Sequence, residues 1–250
     1  MSNLIRIMLY FVLLALTFDS SANVALSKYR LYFDNDTRND ALQLRNTGAV
    51  GIEYSAELSL VAMTEEGSLR KVQDDPYSAI KLLRFSPKRG TIAPGSRQAL
   101  RFVVRKPANL PAGEYRAVLN LVSSFKGGNL GNVNLNTKLA YNVPIIIRHG
   151  RTEITSELLE PKLIMVEDVA HIELWQSLKG NRSLFGNFIV TDEQGNELGL
   201  VNSIAAYQPL TRRKVLIPLT KQASGKINIK YNEIAKFGGN LELQTSINIK

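Results

Sequence analysis

From about residue 24 to the C-terminus, apolar and polar side chains alternate in short runs broken by turn residues, the two-residue period of half-buried strands. In the first half this pattern predicts strands over Lys28–Phe33, Ala41–Arg45, Glu53–Val61, Leu82–Phe85, Gln98–Val104 and Glu114–Phe125. The separating segments "DNDTRND", "NTGAVG", "SPKRGTIAPGS" and "KPANLPAG" are rich in the residues that bend a chain. Only "PYSAIKLL" has a helical look. A glycine-bearing joint, "HGRTE", follows Arg148, and the pattern then restarts over Ala170–Leu174, Ser183–Thr191, Glu197–Asn202, Arg213–Leu219, Lys226–Tyr231 and Leu241–Ile249. Strands at this spacing predict an all-β protein made of sandwiches. The expected division is a leader over 1–22, a first domain over 23–149 and a smaller β-sandwich over 150–250.

One run is too long for a sandwich strand. In "VNLNTKLAYNVPIII", residues 133–147, the odd positions Val133, Leu135, Thr137, Leu139, Tyr141, Val143, Ile145 and Ile147 are all apolar or Thr, against a mostly polar even set. Fifteen residues at about 3.3 Å each would extend roughly 50 Å, two to three times an ordinary strand. The run follows "EYRAVLNLVSSF" through the short connection "KGGNLGN", which predicts a long antiparallel hairpin. The pattern alone fits two readings equally. All eight odd positions can face the chain's own core, with Asn134, Asn136, Lys138 and Asn142 in water. Alternatively the strand overhangs as an apolar edge, a feature normally suppressed because it recruits other chains, and is offered to a partner that lacks a strand.

The N-terminus carries one basic residue, Arg6, an apolar run from Ile7 to Leu16, and small residues ending Ser20-Ser21-Ala22. This is the layout of a secretory signal peptide cleaved after Ala22. Ten apolar residues are too few to span a bilayer, which takes about 20 in a helix. No later stretch is longer and apolar, so no membrane insertion of the mature chain is expected. Cleavage leaves about 228 residues, room for one large or two ordinary domains, and the full chain is 44% apolar.

The chain has no cysteine, which excludes thiol catalysis, cysteine-ligated metal and a disulfide scaffold. Its two histidines, His149 and His171, read as ordinary surface or half-buried residues. No nucleophile elbow, HExxH or P-loop motif is present. The adjacent carboxylates Glu65–Glu66 and Asp74–Asp75 read as surface acids. An enzyme, a cofactor or a metal site is therefore not expected. The net charge is +9, and from Lys81 to Lys106 there are eight Lys or Arg and no acid. With only Phe85 and Phe102 as aromatics in that stretch, nucleic acid is not the expected partner. It reads as a solvated face or as a docking surface for an acidic protein.

"SKYRLYFDND", then "LQLRNTG", "FSPKRGTIAPGSRQALRF", "LPAGEYRAVLNL" and "YNVPIIIRHG", in this order and spacing over about residues 27 to 150, resemble the first domain of the periplasmic pilus (fimbrial) chaperones of the PapD type. The resemblance implies two immunoglobulin-like β-sandwich domains set in an L, location in the periplasm, no cofactor, and binding of pilus subunits in the cleft. It also implies loan of the long edge strand to a subunit that lacks one, and delivery of that subunit to an outer-membrane usher. By the same resemblance Arg30 grips the subunit's C-terminal carboxylate, a match that bidentate guanidinium chemistry supports. Val133, Leu135, Thr137, Leu139 and Tyr141 form the donor strand, and Glu114 with Arg148 forms a charge pair near the domain joint. Two departures stand out. The family's cleft lysine aligns with Pro144, which offers neither charge nor N–H, leaving Lys138 and Arg148 as candidates to complete the carboxylate site. The acid expected from the second domain falls near Lys236. A four-residue slip would move the donor set to Val133 and Leu135 without changing its face. The alternative function is a secreted immunoglobulin-like adhesion or structural pilus protein. Self-association through the edge strand is compatible with either.

Overall fold

A computed structural model describes residues 24–130 and 133–249, with side chains described over 24–124 and 138–249. The leader expected over 1–22 lies outside the described residues, as do the side chains of Val133, Leu135 and Thr137.

The first half comprises β1 (Val24–Leu26), β2 (Leu31–Phe33), β3 (Asn39–Asn46), β4 (Ile52–Met63), β5 (Leu69–Val72), β6 (Leu83–Ser86), β7 (Arg89–Ile92), β8 (Arg97–Val104), β9 (Gly113–Leu130) and β10 (Val133–His149). The second half comprises β11 (Ile154–Thr155), β12 (Leu158–Val166), β13 (Val169–Ser177), β14 (Lys179–Gly180), β15 (Leu184–Thr191), β16 (Glu197–Ala206), β17 (Arg212–Pro218), β18 (Gly225–Glu233) and β19 (Glu242–Ile249).

In the first half a β1-β3-β8-β6 sheet faces a β2-β10-β9-β4-β5 sheet, with β7 also paired to β4. Alternation explains the layering. β3 and β8 both bury every second residue toward their C-terminal ends, and these inward side chains, with Leu31, Phe33, Leu119 and Ile145, make one continuous core. In the second half β12-β13-β17 faces β16-β15-β18-β19 over a separate core that includes Ile172, Leu174, Ile217 and Ile229. There Phe188 and Tyr231 pack with ring centroids 4.8 Å apart. The all-β expectation of two sandwiches is met.

Several local expectations need correction. "PYSAIKLL" yields only a 3₁₀ turn at Ile80–Leu82. The segment taken as the loop "KGGNLGN" is largely strand, because β9 continues to Leu130 and β10 begins at Val133. Of Lys28–Phe33 only Leu31–Phe33 is strand, as β2, and it is preceded by β1 at Val24–Leu26, which was not anticipated and joins the opposite sheet. β5, β7 and β12 were not anticipated. The first two are short and mostly exposed, so they lack an apolar face to read.

Candidate functional site

β10 carries the site. β9 pairs with it antiparallel along its length, whereas on its other side β2 pairs with it, in parallel, only at Ile145–Ile147. Among the described residues, no strand pairs with the outer edge of β10 from Val133 to Pro144. Pro144 fits this position, because prolines in sheets are confined to edges. β4 supports β9 only as far as Ser124, whose partner on β10 is Lys138. Beyond that pair the hairpin is two strands wide.

Burial follows the same gradient. Ile147, Ile145 and Val143 are buried in the first core. Tyr141 is half-buried against that core, and its hydroxyl donates to the Val24 carbonyl at 2.7 Å. Leu139 is half-buried but is not part of the core. On the other face Arg148 and Ile146 are buried, Pro144 is half-buried, and Asn142, Ala140 and Lys138 are exposed. Tyr141 therefore belongs to the rim of the core rather than to the overhang, because its ring and its hydroxyl are both held.

At the other end of β10 lies the domain joint. Arg148 and Glu114 are cross-strand neighbours, and Arg148 Nε donates to Glu114 Oε2 at 3.1 Å with both side chains buried. The second half closes this pair from its own elements. Arg148 Nη1 donates to the Gly238 carbonyl at 2.8 Å, Ser183 N donates to Glu114 Oε2 at 3.2 Å, and Ser183 Oγ donates to Glu114 Oε1. No acid stands at Lys236, and the nearest in sequence is Glu233, three residues earlier. It pairs not with Arg148 but with Arg182, through contacts of 2.5 and 3.0 Å. It also accepts the backbone N–H groups of Asn240 and Leu241. A carboxylate with this many donors suits a buried position.

Arg30 precedes β2. Because Leu31 is level with Ile145, Arg30 stands level with Pro144, where the free edge ends. Its guanidinium lies 3.7 Å from the Phe185 ring centroid and donates to the Tyr207 hydroxyl at 3.0 Å, and the side chain is 8% exposed. Arg116, on β9, approaches the same tyrosine from another side, 5.0 Å from its ring centroid. Arg116 Nη2 lies 3.4 Å from Asp75 Oδ2, and Nη1 has no hydrogen-bond partner among the described residues although it is buried. Arg116, Asp75 and Tyr207 line a cavity about the size of one water, together with Pro144 and Ile146.

These positions settle which expected residues meet. Glu114 and Arg148 do. Arg30 lies against the second half. Lys138 cannot share a carboxylate with Arg30 or Arg148: it is exposed at the root of the overhang, ten residues from Arg148 along an extended strand, about 33 Å away. Arg148 is already committed to Glu114 and Gly238. Sequence reasoning missed Arg116, and it took Asp75 for a surface acid although that side chain is only 10% exposed. A legible signal existed in "EYRAVLNL", where two charges, Glu114 and Arg116, share one face of a strand that has apolar residues on both faces. That pattern indicates an outer face that is covered.

No known protein-family profile and no curated protein sequence matches the chain. Among solved structures, the class 5 fimbriae chaperone CfaA shares the fold with a TM-score of 0.51 and 11% identity, over 91% of this chain and 100% of that one. A second is a chain of the CsuC–CsuE chaperone–tip adhesion subunit pre-assembly complex, from archaic chaperone–usher Csu pili of Acinetobacter baumannii. Its TM-score is 0.50 with 12% identity, over 91% of this chain and 99% of that one. The likeness is one of fold and runs through both sandwiches.

Proposed function

We propose that this chain is a non-enzymatic periplasmic chaperone that binds pilus subunits, stabilises them by lending the free edge of β10, and delivers them to an outer-membrane usher. Its division would fall at His149–Gly150, with cleavage of the leader after Ala22. The observation that carries the reading is the edge itself. Among the described residues no strand pairs with one side of β10 from Val133 to Pro144, while the apolar face beneath passes from full burial at Ile145 to half-burial at Leu139. An added strand takes both the backbone groups and the side-chain face. If it ran parallel to β10, as β2 does, its C-terminal end would arrive level with Pro144, beside Arg30 and the Arg116 cavity. In this role Arg116 supplies the positive charge that Pro144 cannot, and Leu139, with Leu135, Thr137 and Val133 beyond it, supplies the loaned face. The alternative reading as an adhesion or structural pilus protein gives the free edge no partner lacking a strand.

The test compares Leu139→Glu with Ile145→Glu. A buried Ile exchanged for a carboxylate loses about 1.5–3 kcal/mol of transfer free energy and adds a desolvation penalty. Ile145→Glu should therefore unfold the first domain. Leu139→Glu should leave the thermal midpoint within a few degrees of wild type, yet abolish co-purification of pilin-like subunits co-expressed from neighbouring genes. If Leu139→Glu melts the free protein as severely as Ile145→Glu, the edge is ordinary core and the chaperone reading fails.

A further inference from the structure

The four-stranded sheet of the first half is the layer opposite β10, and its outer face is arginine-rich. Side chains alternate outward at Arg45 on β3, Arg84 on β6, and Arg97 and Arg101 on β8, with Arg105 just past β8, and all five are exposed. Arg45 lies directly opposite Arg97, and Ala41 lies opposite Arg101. Like charges directly opposite on paired strands repel. No ion pair among the described residues includes any of these five, although Arg116, Arg148, Arg182 and Arg212 each have a carboxylate.

The identity of the cations narrows the explanation. A face that serves only solubility mixes both signs, and a face that guards a sheet edge favours lysine. On these four strands every cation is arginine, the residue enriched at protein interfaces where lysine is depleted, and its rigid fork takes a carboxylate bidentately. Ala99 lies between Arg97 and Arg101 on β8, with Gln43 opposite it, and Ala41 lies opposite Arg101. Val103 is its one exposed large apolar side chain, and the face has no aromatic pointing outward to anchor in a membrane interface or stack on a base.

We propose that this face docks an acidic protein surface, with Asp and Glu carboxylates of the partner set against Arg45, Arg97 and Arg101. The surface lies on the opposite layer from the β10 edge, and the inference does not depend on subunit capture.

Poly-L-glutamate is the probe, titrated against the whole protein at several salt concentrations, with phosphatidylglycerol vesicles in parallel. Wild type should bind polyglutamate with an affinity that falls steeply as salt rises. The triple variant Arg45→Ser, Arg97→Ser, Arg101→Ser should bind at least about tenfold more weakly, with a thermal midpoint equal to or above wild type because repulsion has been removed. Lys221→Ser, Lys226→Ser, Lys230→Ser removes equal charge from exposed positions elsewhere and should change affinity by less than about twofold. Equal weakening by the two triples would reduce the effect to net charge and overturn the proposal. So would a lower melting point of the arginine triple, or arginine-dependent binding to vesicles with none to polyglutamate.

Discussion

Glu114→Gln isolates the contact on which the domain joint turns. Glu114 is 1% exposed and accepts from Arg148 Nε at 3.1 Å, from Ser183 N at 3.2 Å and from Ser183 Oγ. Glutamine keeps the shape and one acceptor oxygen but turns an amide NH₂ toward these donors and removes the charge. Arg148, 7% exposed, then retains the carbonyls of Gly238 at 2.8 Å and Ser183 at 3.4 Å and the Tyr32 ring, 5.3 Å from its guanidinium, but no carboxylate. Stripping one partner from a buried ion pair costs about 3–5 kcal/mol. The loss should fall within that range, because both ions are buried and screening is slight. Since the four groups come from both halves of the chain, the cost should appear as uncoupling. Urea unfolding monitored at Trp175 in β13 and by circular dichroism should change from one coincident transition to two. Adding Arg148→Met removes the stranded cation and should recover about 2 kcal/mol relative to Glu114→Gln alone, the coupling expected of residues in direct contact. A loss below about 1 kcal/mol in Glu114→Gln, or a double variant whose loss is the sum of the singles, would refute the reasoning, since a buried ion pair in contact cannot give either result.

Three further outcomes are expected. Gly238 has φ of 68°, and a Cβ there would strike the Tyr32 hydroxyl and Arg148 Nη1, so Gly238→Ala should destabilise by about 1–3 kcal/mol and lower the thermal midpoint, an effect that Gly195→Ala, in open space, should fall short of. Tyr207→Phe deletes the acceptor for Arg30 inside a buried aromatic setting and should cost about 1.5–3 kcal/mol in chemical denaturation; an unchanged midpoint would show that Arg30 is held by the Phe185 ring alone. Backbone N–H donors at Thr37 and Asp36 hold the Asp34 carboxyl below its ordinary 3.8. Its contribution is therefore complete above that value and fades as pH falls through the lower folded-state value, so Asp34→Asn should lower stability near neutrality, where the contribution is whole, and flatten the acid limb of a stability–pH curve.

What was legible in the sequence depended on whether a strand has one wet face. β3, β8 and β15 do, and the alternation located them to within about two residues. β12 does not read so cleanly: "LLEPKLIMV" is apolar at both parities, contains Pro161, and breaks register between Leu159 and Lys162, where Glu160 takes φ of 53°. Its neighbour in the sheet, not its own pattern, makes it a strand. In the same way the glycines of "KGGNL" gave no period, and pairing with β10 extends β9 through them. The joint residues were harder still. Arg148 and Glu114 were anticipated by family resemblance, but Ser183 lies 69 residues from Glu114, and Arg182 lies 51 residues from Glu233. A contact at that separation leaves no periodic trace in one sequence.

The geometry of β10 ties these observations together. Going from Arg148 toward Lys138, the strand loses its β2 partner after Ile145, its inward face passes from full to partial burial after Val143, with Tyr141 at the rim of the core, and its outward face loses cover after Pro144. Three independent forms of support end or weaken within three residues of one another. A strand that merely overran its sandwich would shed sheet partner, core and outer cover at unrelated points. Coincident loss marks a boundary, and Arg30, Arg116 and Tyr207 gather beside it. On this arrangement a strand added to the edge would end against two buried arginines, both of which are engaged with Tyr207. Arg30 is held by its hydrogen bond to the Tyr207 hydroxyl, whereas Arg116 keeps Nη1 without a hydrogen-bond partner among the described residues, so a carboxylate arriving at the end of the edge would meet Arg116 first.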